Sequence, residues 1–159
     1  MSLLEYLDPP PEVTITDYSP LHYKYINSDD KHYREISKVV SVEHMLEYQA
    51  SIGMAFTAML YGQPVAAFGS IQLWPGVEEV WSLMSERSRT HAKTLTRIAK
   101  RFVDFRMKSG GLHRVQMGVR CDDTRAVQWA SALGFDIDGV MRKYGTDGSD
   151  FYMMSKVQA

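Results

Sequence analysis

The sequence holds one cysteine, Cys121, so no disulfide can form within the chain, and a reducing compartment is the simplest setting. Net charge is almost absent, −1 at pH 7, which removes any overall pull toward nucleic acid. No apolar run approaches the length of a membrane span. The opening residues Met1-Ser2-Leu3-Leu4-Glu5-Tyr6-Leu7-Asp8 carry no basic leader, so neither a secretory signal nor a membrane partner is expected, and the location is read as cytoplasmic. His91 and His113 lack metal-ligand spacing, and no metal is predicted. Cys121 has no motif histidine to activate it and reads as a small hydrophobe.

What is present is ordinary globular material. The chain has 159 residues, 45% hydrophobic and 23% charged, enough for one domain with its own core. That domain is expected over residues 12–159. An arm over residues 1–11 is expected before it, because Asp8-Pro9-Pro10-Pro11 blocks a helix.

The alternation Val13-Thr14-Ile15-Thr16 predicts a first strand. Residues 19–53 read as two short helices, the second capped by Ser41. Residues 54–60 and 64–74 read as a hairpin turning at Tyr61-Gly62-Gln63. Pro75-Gly76 then turns the chain into a strand over residues 77–84, in which Val77, Glu79, Trp81 and Leu83 share a face. Thr90 is a fitting cap for a long helix with the apolar stripe Leu95, Ala99 and Phe102, stopped at Gly110-Gly111. A strand around Val115 to Val119, a short helix and two further strands complete the order. The fold class is therefore α/β (α+β), a mixed, mostly antiparallel sheet of about six to seven strands with helices on both faces.

Two local motifs give this order a chemical meaning. Arg87-Ser88-Arg89-Thr90-His91-Ala92-Lys93-Thr94-Leu95 lies where a strand passes into the long helix. It resembles the Arg/Gln-x-x-Gly-x-Gly/Ala-x-x-Leu loop of the GNAT N-acetyltransferase superfamily, with Thr90 at the first glycine. The run from Asp123 through Ala126 to Gly134-Phe135 resembles the same family's Asn-x-x-Ala-x-x-x-Tyr-x-x-x-Gly-Phe signature. Here Asp123 stands for asparagine and Ala130 for tyrosine.

The resemblance implies a GNAT fold and an acyl-CoA-dependent N-acetyltransferase acting on an amine, with acetyl-CoA as cosubstrate. It implies that Leu83, Met84, Ser85, Arg87, Arg89, Thr90, His91, Ala92, Lys93 and Asp123 hold the cofactor. The physical basis is that a helix start exposes amide donors and partial positive charge that suit a diphosphate. In the family a tyrosine protonates the leaving thiolate, and Ala130 cannot. Tyr144 or Tyr152 could stand in, or could simply pack; Tyr144 is the favoured catalytic candidate.

Glu79 is the candidate base, since a carboxylate beside Trp81 has the environment that improves proton abstraction; a solvent-facing rim position is the plainer alternative. The sequence also resembles phage-encoded GNAT-like proteins, among them an internal virion protein of short-tailed phages, through Leu73-Trp74-Pro75-Gly76, Trp81 and Trp129. That implies an alternative: a catalytically silent virion or interaction protein whose partners are other virion proteins.

The basic run Arg87, Arg89, Lys93, Arg97, Lys100, Arg101 and Arg106 is opposed within its segment only by Asp104. Nucleic acid is not the expected partner, because Phe102 and Phe105 are committed to the core rather than interleaved as a stacking platform.

Overall fold

A computed structural model describes residues 1–159. Seven strands form one sheet in the order β1-β2-β3-β4-β5-β7-β6. These are β1 (Val13–Asp17), β2 (Met54–Leu60), β3 (Gln63–Trp74), β4 (Val77–Met84), β5 (Arg114–Arg120), β6 (Asp136–Met141) and β7 (Phe151–Val157). All neighbours pair antiparallel except β4 with β5.

The hairpin turns follow from their residues. At the β2–β3 turn both Tyr61 and Gly62 take positive φ, 49° and 78°, as a two-residue turn between twisted strands requires. At Gly76 φ is +90°, and an added Cβ would meet the His113 ring at 2.2 Å, so glycine is needed for conformation and for space.

One face of the sheet is covered by α5 (Ala92–Ser109), whose buried residues Leu95, Ile98, Ala99, Phe102 and Val103 repeat at helical spacing. With α6 (Thr124–Ala132) it closes the main core, which includes Phe56, Phe68, Val80, Val115 and Leu133. Glu78, facing this side and 4% exposed, accepts from both Nε and Nη2 of Arg106 and so ties β4 to α5. Removing one member of such a buried pair typically costs about 3–5 kcal/mol.

The expected N-terminal arm is in fact helical. α1 (Leu3–Leu7) starts with a capping box between Ser2 and Glu5 and buries Leu7 completely in the main core. Arg101 Nη1 donates to the Leu7 carbonyl at 3.0 Å, and the prolines come only after the helix has ended at Asp8.

On the opposite face residues 19–53 form three helices rather than two: α2 (Pro20–Ile26), α3 (Lys31–Ile36) and α4 (Val42–Ile52). The extra boundary is at Asp30, whose carboxylate accepts from the His32 amide at 2.9 Å and caps α3. No helix is long and apolar enough to cross a membrane.

Candidate active site

The parallel seam between β4 and β5 is short. Pairing runs from Val77–Arg114 through Glu78–Val115 to Glu79–Gln116 and then stops. Beyond it β4 stays paired with β3 as far as Met84, and β5 stays paired with β7 as far as Arg120. The two strands therefore part company while each keeps its outer neighbour.

The split opens a cleft of about 360 Å³, within the range of small-molecule sites. Its lips are Val80, Trp81 and Ser82 on β4 and Met117, Gly118 and Val119 on β5. Trp129 of α6 stands at its base, stacked with Phe68 at 6.3 Å and donating from Nε1 to the Thr96 hydroxyl. Below lies a small apolar cavity walled by Phe68, Ala99, Phe102 and Leu133.

Glu79 sits at the fork, the last residue of β4 that pairs with β5. It lines the cleft and accepts from Gln116 Nε2 at 3.3 Å. Tyr144 lines the cleft from the β6–β7 connection, 60% exposed, its ring edge against Phe151 at 5.2 Å. Asp123 lines it too, but its carboxylate caps α6 by accepting from the Ala126 amide. Asp30 and Glu35 of α3 add two more carboxylates to the walls.

The one cation there, Arg120, is 3% exposed and fully engaged by Asp122 and Asp147, at 2.9 Å each. Those contacts hold Asp122 down to about 2, Asp147 further below the usual carboxylate range, and the guanidinium charged. Burial keeps His32 below the ordinary imidazole value despite nearby Asp30, while burial raises Asp30. The walls thus offer carboxylates without a free cation.

The remaining predicted cofactor residues lie past the cleft, on the end of β4 and the start of α5. Leu83 is fully buried and packs with the α2–α4 helices. Ser85 donates its hydroxyl to the Val65 carbonyl at 2.8 Å and caps a 3₁₀ helix over Glu86–His91. The cap of α5 itself is His91, without a side-chain bond, rather than Thr90.

The Thr90 hydroxyl turns back to the Arg87 carbonyl at 2.8 Å, and amides within the 3₁₀ turn bond to carbonyls of the same turn. Exposed cationic side chains remain: Lys93, Arg87 against Gln63, and Arg89 between Asp29 and Glu86 at 3.6 and 3.8 Å. Met84 and Ala92 flank this loop. Position 130, where the resemblance puts a tyrosine, is a fully buried alanine and presents nothing to the cleft. Burial raises the Cys121 thiol, which keeps it protonated. No three His, Cys, Asp or Glu side chains gather as a metal ligand set.

The residues that sequence reasoning missed are on α3. Tyr33, 8% exposed, donates its hydroxyl to the Ser82 carbonyl at 2.7 Å, and His32 packs edge-on against Phe151 at 5.3 Å. The Ser28-Asp29-Asp30 run was the available signal for a helix start here.

The fold is that of GNAT acetyltransferases. Ard1 from Thermoplasma volcanium superimposes with a TM-score of 0.74 at 16% identity over 93% of this chain and 99% of its own. A GNAT-family acetyltransferase from Bacillus anthracis gives 0.72 at 14% identity over 92% and 95%. A ribosomal-protein alpha-N-acetyltransferase solved with coenzyme A gives 0.72 at 11% over 93% and 95%. No protein-family model and no curated protein matches the sequence. At these identities the likeness establishes the fold.

Proposed function

We propose that the chain is an acyl-CoA-dependent N-acetyltransferase whose acceptor is a cationic amine. The observation that carries this reading is the fork at Glu79 and Gln116, where two strands diverge around a cleft with a carboxylate at its apex. The fit to an acyl-CoA rests on the residues around it. The Ser82 carbonyl faces a single side-chain hydroxyl rather than a neighbouring strand, so an extended amide-bearing arm has backbone to pair with. Arg87, Arg89 and Lys93 supply charge for a diphosphate.

In this reading the thioester supplies the activated acyl group. The protein's part is to hold the amine against it and remove a proton. Glu79, oriented by Gln116, accepts the proton from the attacking ammonium or amine, directly or through water. Tyr144 stands at the rim as a proton donor to the departing sulfur. The carboxylates Asp30, Glu35 and Asp123 attract a cationic acceptor and discourage an anionic one. Among structures of the same fold are a spermidine N-acetyltransferase chimera and the ribosomal-protein enzyme, so polyamines and protein amino groups are the acceptor chemistries to try first.

Titration calorimetry with acetyl-CoA tests the reading. Heat of binding is expected, weakened at least tenfold by Arg87→Glu with Arg89→Glu, since two charge-assisted contacts reverse sign. No heat with wild-type protein at millimolar acetyl-CoA overturns it.

A second reading, a catalytically silent scaffold such as a phage virion component, is favoured by a different observation. Ala130 offers no acid, and Thr90 is folded onto the Arg87 carbonyl within a 3₁₀ turn that uses its own amides. Retaining a fold while losing its site is physically allowed.

A further inference from the structure

The split between β4 and β5 is bridged from outside by the start of α3. Within a few residues, Asp29 meets Arg89 at 3.6 Å, Lys31 meets Asp122 at 2.9 Å, His32 packs on Phe151 of β7, and the Tyr33 hydroxyl bonds Ser82 of β4. One segment therefore touches β4, its far-side counterpart β7, the turn that follows β5 and the basic loop before α5. Two of its contacts have a chemical likeness to a cofactor: a carboxylate anion on the arginine that should meet a phosphate, and a hydrogen-bond donor on the strand carbonyl that should meet an amide N–H.

We propose that residues 29–33 form a strap that holds the places of the diphosphate and the pantetheine arm, and that acyl-CoA binding displaces it. The inference rests on the acyl-CoA reading above and adds a conformational step to it. The strap and the cofactor compete for the same groups, because the Asp29 carboxylate offsets the Arg89 charge and the Tyr33 ring stands over the Ser82 carbonyl; the cofactor's affinity is lowered by whatever those contacts contribute.

The strap's outer ties are polar, and Tyr33 alone is set in the small apolar cluster of the α2–α4 face. The Asp29 and Lys31 pairs are about half exposed, so each is weak and salt-sensitive. Tyr33 is the strongest tie, and Asp30 and His32 beside it are a carboxylate whose affinity for its proton is raised by burial and an imidazole kept largely neutral. Such a segment belongs among the parts of a fold that open without global unfolding.

Hydrogen exchange of the full chain with and without saturating acetyl-CoA reads the strap directly. A ligand ordinarily slows exchange where it binds; displacement of the strap predicts faster exchange over residues 30–36 together with slower exchange at the start of α5. Slower or unchanged exchange over residues 30–36 while α5 slows overturns the strap and leaves the transferase reading standing. The companion measurement is calorimetry on Asp29→Ala with Tyr33→Phe, which removes both place-holding groups but keeps the ring. Acetyl-CoA is expected to bind about fivefold tighter, the effect of losing one competing neutral hydrogen bond. Equal or weaker binding makes these groups ordinary parts of the site and overturns the strap. No heat in either the wild type or this variant removes both the strap and the acyl-CoA reading.

Discussion

On one face of the sheet α1, α5 and α6 close over an apolar cluster of 21 buried residues; on the other, α2, α3 and α4 close over a separate cluster of six. The larger cluster draws on residues from Leu7 to Met154 and includes four phenylalanines, one of them Phe102 of α5, which packs against Phe56 of the sheet. The smaller one relies on polar ties. His22 Nδ1 meets the buried Thr57 hydroxyl at 2.8 Å, and Tyr33 meets the Ser82 carbonyl. Stability is concentrated on the α5 face. The cleft's movable wall belongs to the other, where hydrogen bonds fix position without much burial to resist their opening.

Substitution into alanine sharpens that contrast most. Phe102, 2% exposed and packed edge-on against Phe56 at 5.1 Å, should lose about 4 kcal/mol of unfolding free energy as Phe102→Ala, because α5 and the sheet cannot collapse onto the space. Leu46, fully buried on the inner face of α4, should lose about 2 kcal/mol as Leu46→Ala, the low end for such a deletion, since a six-residue cluster can close on the gap. Urea melts measure both, and equal losses would break the comparison.

Next in size is a kinetic effect confined to the cleft. Glu79→Gln keeps the shape and the neighbour Gln116 but cannot take a proton. Turnover of acetyl-CoA with a polyamine acceptor should fall about a hundredfold, with acetyl-CoA affinity and melting temperature unchanged. Loss of affinity with turnover per bound cofactor intact would make Glu79 a wall residue.

What the sequence disclosed, and what it did not, divides by the range of the interaction. The turns at Tyr61-Gly62 and Pro75-Gly76, and the stripe Leu95, Ile98, Ala99, Phe102 and Val103, are written in consecutive or periodic residues, so strands and the long helix were readable. α1 was obscured because three prolines dominate its surroundings, while its fate is decided by Arg101 and the core some ninety positions away. The cap Asp30 is local, yet α3 is too short and polar to show a face. The fork at Glu79 and Gln116 is a matter of which pairings end, and no local pattern encodes that. The basic loop was located by its motif, but the bond of the exposed Thr90 hydroxyl back to the Arg87 carbonyl depends on a 3₁₀ geometry that the residue types do not dictate.

Acid gives the gentlest probe of the two faces, because the imidazoles whose affinity for protons is lowered by burial, His22 and His32, both lie on the α2–α3 side. In the unfolded chain an imidazole binds its proton near about 6.5. Below that value the unfolded state takes up protons that the folded state resists, so folding stability falls as pH falls. Asp30 works the other way: raised by burial, it gains its proton sooner in the folded chain and offsets part of the loss as the carboxylate range is approached. Asp122 and Asp147, held down by Arg120, keep their contribution intact above about pH 4 and lose it only toward pH 2. Hydrogen exchange followed from about pH 7.5 to about 5, corrected for intrinsic rates, should therefore show α2 and α3 loosening while α5 holds. His32→Phe, which keeps an aromatic edge toward Phe151, should flatten the slope for α3 alone; equal loosening of both faces would mean that the second cluster is not the weaker one.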